Sequence, residues 1–259
     1  MLRKSVSAAM VVLAMALLFA RSGYCESKSG EILVSAAVSL KNAFAEIGAL
    51  YEKRTGVTVR FNLAASGLLQ KQIESGAPVD VFASAGEKQM DALQSQGLIL
   101  AATRRNFARN ALVLVVPPQS NQRIRSFADL GRPEAARIAI GNPKTVPAGQ
   151  YAREALTRLK LWDQLQTRLA LAENVRQVLD YVVRGEADAG LVYASDVAAA
   201  RGEAAIAAYA PKDSHSPILY PIAVVKDSKR PGDAQRFIDL TLRPEGQAIL
   251  KKYGFAGAQ

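Results

Sequence analysis

The sequence predicts an α/β fold in which short parallel strands alternate with amphipathic helices. Short β-rich runs, such as residues 32–36, 112–116 and 189–193, recur between segments whose apolar residues repeat at helical spacing. A strand, a few small residues and a serine at a helix start follow one another twice, once around Ser39 and once around Ser66. The 259 residues, 49% apolar and 7% aromatic, suffice for two modest domains or one large one, with cores built from Ala, Val, Leu and Ile.

Residues 1–25 stand apart. Arg3 and Lys4 precede the apolar run 5–20, and the more polar RSGYC follows. This is the pattern of an export signal, and the run is short for a bilayer crossing. A cut before Glu26 suits Gly23 and Cys25, and a cut after Ala20 is the alternative. Cys25 raises the further option of lipid attachment, against which stands the bulky Tyr24 before it. Cys25 is the sole cysteine, so no intrachain disulfide can form and the fold stands on its core. Loss of residues 1–25 removes three cations and no acid, so the formal charge falls from +10 to +7. The cations are scattered singly and do not interleave with aromatics, which argues against nucleic acid as a partner. A mild positive field collects small anions.

The first unit is a strand at 32–36, a passage through Ala37–Ser39 and a helix whose face carries Leu40, Ala43, Phe44, Ile47, Leu50 and Tyr51. Ser39 stands at the helix start, where it either caps a backbone N–H or points its hydroxyl elsewhere. The run 57–63 is the second strand. It leads through Ala64, Ala65, Ser66 and Gly67 into a helix, and Gly67 permits a close backbone approach. Gly76, Ala77 and Pro78 turn the chain into a strand at 79–83 that contains Asp80, and a helix follows at 87–96. Residues 106–110 read as a segment crossing to a second set of units.

That set opens with the apolar strand 112–116, stopped by Pro117-Pro118. A helical turn at 126–130, a strand at 137–140 and a long turn-rich connection at 141–149 come next, feeding a helix with Tyr151, Ala152, Ala155, Leu156 and Leu159 on one face. Asn174 followed by Gln177 forms a capping box before a helix that buries Val178, Leu179, Val182 and Val183. Tyr193 ends the strand 189–193. Strands at 206–209 and 220–225 and helices at 232–242 and 245–252 complete the chain, the last begun favourably by Pro244.

Four loops thus precede helices: those with Ser39, with Ser66, with Pro147-Ala148-Gly149, and with Asn174-Val175. Tyr193 closes a strand. If they converge, they offer hydroxyls and helix-start N–H groups with no obligatory charge. That is a poor catalytic set and a good receptacle for a small ionised oxyanion.

The chain resembles the periplasmic molybdate-binding proteins of ABC importers. The resemblance rests on AAVSL (36–40), AASG (64–67), QIESGAPVDVF (72–82), VPAGQYA (146–152), NVR (174–176) and GLVYASD (190–196), with DSH (213–215) and KYGF (252–255) in support. It covers residues 32–255, and VPAG and VY-SD are its most specific pieces. It implies a type II periplasmic-binding protein fold: two α/β lobes around a ligand cleft, joined by two crossing segments. Residues 26–107 would be the first part of lobe I, 108–218 lobe II, and 219–259 the rest of lobe I. It also implies binding of molybdate or tungstate without any cofactor, a monomer in the periplasm, delivery to a membrane permease, and no catalysis. The implied anion donors are the hydroxyls and neighbouring N–H groups of Ser39 and Ser66, the backbone N–H groups of Ala148 and Val175, and the Tyr193 hydroxyl. Where the family commonly continues Ser-Thr, this chain has Gly67-Leu68, so Gly67 offers only its N–H.

The competing readings are a receptor for another tetrahedral oxyanion such as sulfate or phosphate, a noncatalytic module that only shares the fold, and, more remotely, an exported serine hydrolase. The last lacks a nucleophile elbow and has one histidine, His215, which also leaves metal chemistry without a ligand set. Arg176 is placed to pair with an acid across the cleft, Asp196 either to hold a nearby loop or to stand at the solvated surface, and Trp162 to pack.

Overall fold

The computed structural model describes residues 30–119, 123–200 and 202–257, so the expected export signal and Cys25 lie outside the described residues. In chain order the strands are β1 (Glu31–Ala37), β2 (Thr58–Ala64), β3 (Val81–Ala83), β4 (Arg105–Arg109), β5 (Leu112–Val116), β6 (Ile138–Gly141), β7 (Leu169–Ala172), β8 (Ala189–Tyr193), β9 (Ala205–Tyr209) and β10 (Leu219–Val224). The helices are α1 (Lys41–Thr55), α2 (Ser66–Glu74), α3 (Glu87–Ser95), α4 (Pro147–Arg158), α5 (Trp162–Leu165), α6 (Val175–Val183), α7 (Ala194–Ala199), α8 (Pro231–Leu242) and α9 (Pro244–Lys252).

The strands form two five-stranded sheets, ordered β2-β1-β3-β10-β4 and β7-β6-β8-β5-β9. Each is mixed where the sequence pattern reads as parallel. β1 pairs in parallel with β2 and β3, and β6 with β7 and β8, whereas β10 and β5 run against both of their neighbours. The reason is connectivity. β5 and β10 are the strands entered directly from the other sheet, and a chain arriving that way runs opposite to one returned by a helix. The passages lie at Asn110-Ala111 and at residues 210–218.

Residues 106–110, read as a crossing segment, are mostly strand. β4 extends to Arg109 and pairs with β10, with Phe107 and Ala108 both buried. β7 was not legible at all. It is an edge strand of only four residues that leaves Leu171 half exposed, so its period is weak.

The first sheet's core is aromatic at its centre. Phe44 of α1 meets Phe107 at 5.7 Å, Phe237 at 5.6 Å and Phe61 at 6.1 Å between ring centroids. Tyr51, one face further along α1, donates to the Asp233 carbonyl at 2.9 Å and ties α1 to α8. Asp80, just before β3, accepts from Leu33 N–H at 2.8 Å and from the Ser228 hydroxyl at 2.6 Å, so it fastens the sheet to the loop after β10. α1 is thereby fixed against the sheet, and the turn at its start is held at the sheet's edge.

Phe44 is fully buried, so Phe44→Ala is expected to destabilise the protein by about 3–5 kcal/mol in denaturant unfolding. A loss below about 1 kcal/mol would show that this aromatic cluster does not carry lobe I.

Candidate functional site

One small cavity lies where the loops of the two sheets face each other. It encloses about 210 Å³ including its open mouth, and its wall is formed by Ala37, Val38, Ser39, Ala64, Ala65, Ser66 and Ala85 from the first sheet's side and Val146, Pro147, Ala148, Val175 and Tyr193 from the second's. All five residues singled out from the sequence line it: Ser39, Ser66, Ala148, Val175 and Tyr193. No charged side chain does.

Neither serine caps its helix. Residues Val38–Leu40 form a 3-10 turn ahead of α1, and the Ser39 hydroxyl lies 3.0 Å from the Tyr220 hydroxyl. Ser66 is the first residue of α2, and its Oγ accepts the Ala85 N–H at 3.0 Å. The protein itself therefore supplies a donor to this oxygen.

Ala148 is the second residue of α4 and Val175 the first of α6, so their N–H groups are among those a helix leaves without an internal partner. Pro147 opens α4 without needing a donor. Gly149 lets α4 approach the end of β6, because a side chain there would overlap the Gly141 carbonyl. At α6, the Asn174 side chain accepts from Gln177 N–H at 3.1 Å. The Gln177 side chain returns to Glu173 N–H at 2.7 Å, one residue beyond the Asn174 N–H that a standard capping box would use.

Tyr193 is buried, and its hydroxyl donates to the Ala85 carbonyl at 3.3 Å, across from the second sheet's side to the first's. Burial pushes the Tyr193 phenol well above its ordinary range, and burial does the same to Tyr220, so both remain proton donors.

Gly67 makes the close backbone approach expected of it, and its N–H is used within the protein. Its N–H donates to the Thr145 carbonyl at 3.0 Å, across the cleft and not into the cavity. A side chain at Gly67 would run into that same carbonyl. Gln89 adds a second contact across the rim, donating to Gln150 at 3.4 Å.

Arg176 does not reach across the cleft. Its Nε lies 2.8 Å from Asp196 on its own side, in ionic contact without the alignment of a hydrogen bond. Asp196 also accepts from Tyr193 N–H at 3.2 Å, so it steadies the residue at the cavity wall. Burial raises the Asp196 carboxyl to about 6; the Arg176 charge and the Tyr193 N–H pull the other way and do not win. His215 lies on the second crossing, edge-on to Tyr151 with ring centroids 5.9 Å apart, away from the cavity wall. Trp162 packs against the core beneath Arg153.

Three contributors escape the sequence reading. Ala85 works through its backbone alone. Its signal was present in Ala83–Gly86, a strand end followed by small residues and a helix, the same pattern as at Ser66. Tyr220 and Asn110 sit beside the two crossings, and nothing in the local sequence marks their side chains as linked to Ser39.

The family model for bacterial extracellular solute-binding proteins matches residues 32–256. The chain is 41% identical to the molybdate-binding protein ModA of Escherichia coli K12 over 244 residues, which covers 93% of this chain and 94% of that protein. It is 36% identical to the molybdate-binding protein ModA of Haemophilus influenzae over 245 residues, or 93% and 96% of the two chains. Among solved structures, the periplasmic molybdate-binding protein of Azotobacter vinelandii has a TM-score of 0.80 at 27% identity, over 88% of this chain and 100% of that one.

Because the folded chain holds the Asp196 proton more tightly than the unfolded chain does, the stability this group contributes falls as pH rises from about 4 to about 6 and is level above. Melting curves of the wild type and Asp196→Asn across pH 4–7 are expected to show the wild type losing ground over that interval. Parallel curves would contradict the raised carboxyl.

Proposed function

The chain belongs to the bacterial extracellular solute-binding proteins, with the molybdate-binding ModA proteins among its relatives, and from that premise we propose how its cleft serves an ABC importer. It is a periplasmic binding protein that takes up molybdate or tungstate and delivers the anion to a membrane permease as a monomer. It is a transport protein, without a cofactor and without catalysis.

In our reading the anion is held by the hydroxyls of Ser39, Ser66 and Tyr193 and by the backbone N–H groups of Ala148 and Val175. The observation that carries it is a cavity wall bearing hydroxyls and helix-start N–H groups from both sheets and no charged side chain. Such donors suit a fully ionised tetrahedral oxyanion. Each hydrogen bond to it is charge-assisted, and the first turns of α4 and α6 add their dipoles. No proton transfer or bond cleavage is needed.

Because both lobes supply donors, the anion stabilises the closed arrangement over the open one, and the closed arrangement is what the permease reads. Tyr193 gives its hydrogen bond to Ala85 in the structure and is free to exchange it for an anion oxygen. Sulfate is discriminated by size: a cage spaced for the larger molybdate leaves sulfate short of donors, and missed hydrogen bonds in a dry site are costly. Tungstate, nearly the size of molybdate, binds alike.

Calorimetric titration of the purified protein with molybdate, tungstate, sulfate and phosphate tests this. Tight binding of the first two alone is expected, and a preference for sulfate or phosphate would overturn the reading. Ser66→Ala is expected to cost ~1.5–3 kcal/mol of molybdate binding, the worth of one charge-assisted hydrogen bond. Gly67→Ala, which sets a methyl group against the Thr145 carbonyl, is expected to oppose closure and weaken binding by about 1–3 kcal/mol. Unchanged affinity in both variants would remove the proposed cage.

A further inference from the structure

The Ser39 hydroxyl is one member of a buried chain that runs from the cavity through Tyr220 of β10 to the first interlobe passage. Asn110, in the first passage, is its fixed end. The Asn110 carbonyl oxygen accepts from Ala111 N–H at 3.0 Å and from Ser195 N–H at 3.4 Å. Two backbone donors on that oxygen settle which way the amide points, so its NH₂ group faces the other way. There it donates to Ser195 Oγ at 2.8 Å and to the Tyr220 hydroxyl oxygen at 3.3 Å. Tyr220 is fully buried, with its ring edge-on to Phe107, Tyr193 and Phe255 at 6.2, 5.8 and 5.3 Å between centroids, so its hydroxyl cannot swing elsewhere.

Asn110 also bears on the bond between Ser39 and Tyr220, in which either oxygen can be the donor. Asn110 NH₂ can only donate, so the Tyr220 oxygen accepts and its proton is left for Ser39, 3.0 Å away. In that arrangement Ser39 accepts from Tyr220, and its own proton is free for a partner in the cavity. Ser66 reaches the same condition by another route, with Ala85 N–H donating to its oxygen.

We propose that Tyr220, oriented by Asn110, is a positioning residue that fixes the Ser39 hydroxyl as a donor to the anion. Neither Tyr220 nor Asn110 lines the cavity, so they act through Ser39. The same chain reaches α7 through Ser195, two residues after Tyr193. It therefore joins an anion donor of the first lobe to the base of an anion donor in the second, through the passage about which the lobes move. The inference rests on the assignment of Ser39 to the anion.

A double-mutant cycle, read by calorimetry with molybdate, tests it. Wild type, Tyr220→Phe, Ser39→Ala and the double variant are compared, with melting temperatures taken in parallel. Phe keeps the ring packing and removes only the hydroxyl. Tyr220→Phe is expected to weaken molybdate binding about tenfold, the effect of losing one ordinary hydrogen bond's worth of orientation. The double variant is expected to bind within about twofold of Ser39→Ala alone, because Tyr220 has nothing left to orient. Asn110→Ala, in a second cycle with Ser39→Ala, is expected to show the same coupling with a smaller loss. It carries the test if Tyr220→Phe does not fold.

Wild-type affinity in Tyr220→Phe would overturn the inference, as would losses that multiply in the double variant. A wild-type protein that binds no molybdate would overturn the binding function and this inference together. Wild-type binding with a failed cycle overturns the inference alone.

Discussion

The hydrogen bond from Ala85 N–H to Ser66 Oγ, 3.0 Å long and buried between sheet and cleft, expresses the constraint on which the site depends. A hydroxyl is both donor and acceptor, and an anion wants only the donor. A site made of neutral groups favours an anion when the protein already supplies a donor to the hydroxyl oxygen, so that the hydroxyl proton is left for the ligand. The short loop at Ser84–Gly86 does this for Ser66, and it is held in shape by the Ser84 hydroxyl, which donates to the Gly86 carbonyl at 2.7 Å and accepts its N–H at 3.2 Å. The rest of the architecture serves to bring that loop, the α1 turn and two helix starts to one point.

The chain is strongly basic overall, yet the cavity wall holds no cation. Arg176, next to Val175, is turned back onto Asp196 and steadies α6 against α7. The division is physically sensible. A fixed lysine or arginine in the cleft would bind any anion tightly with little regard for size, whereas directed neutral donors reward only the anion whose oxygens reach all of them. The positive surface then acts at long range, raising the local concentration of anions, while selection happens in a site with no net charge.

Much of the cavity wall was legible in the sequence, because Ser39, Ser66 and Ala148 stand among small residues at a helix start, Val175 follows the N-cap Asn174, and Tyr193 ends a strand. The resemblance to molybdate-binding proteins then supplied the convergence that spacing could not. Other features were harder to read. Ala85 shares the strand-end pattern of Ser66 but acts through backbone groups that every residue type carries. Tyr220 lies in a strand where any buried aromatic would look the same. Asn110 belongs to a run read as a passage, although four of its five residues are strand, because the antiparallel pairing of β4 with β10 joins segments more than a hundred residues apart. Gly67 was recognised as a close-approach residue, but its partner, the Thr145 carbonyl, lies on the other side of the cleft and could not be named from one chain segment.

A crystal structure of the protein with molybdate tests the central claim most directly, since it shows which atoms hold the anion. The account requires one tetrahedral anion between the two lobes. Its oxygens should lie within about 2.6–3.2 Å of Ser39 Oγ, Ser66 Oγ, Tyr193 Oη and the nitrogens of Ala148 and Val175, with no Lys or Arg nitrogen in contact. An anion seated on a lysine or arginine, or bound outside this cavity, would contradict it.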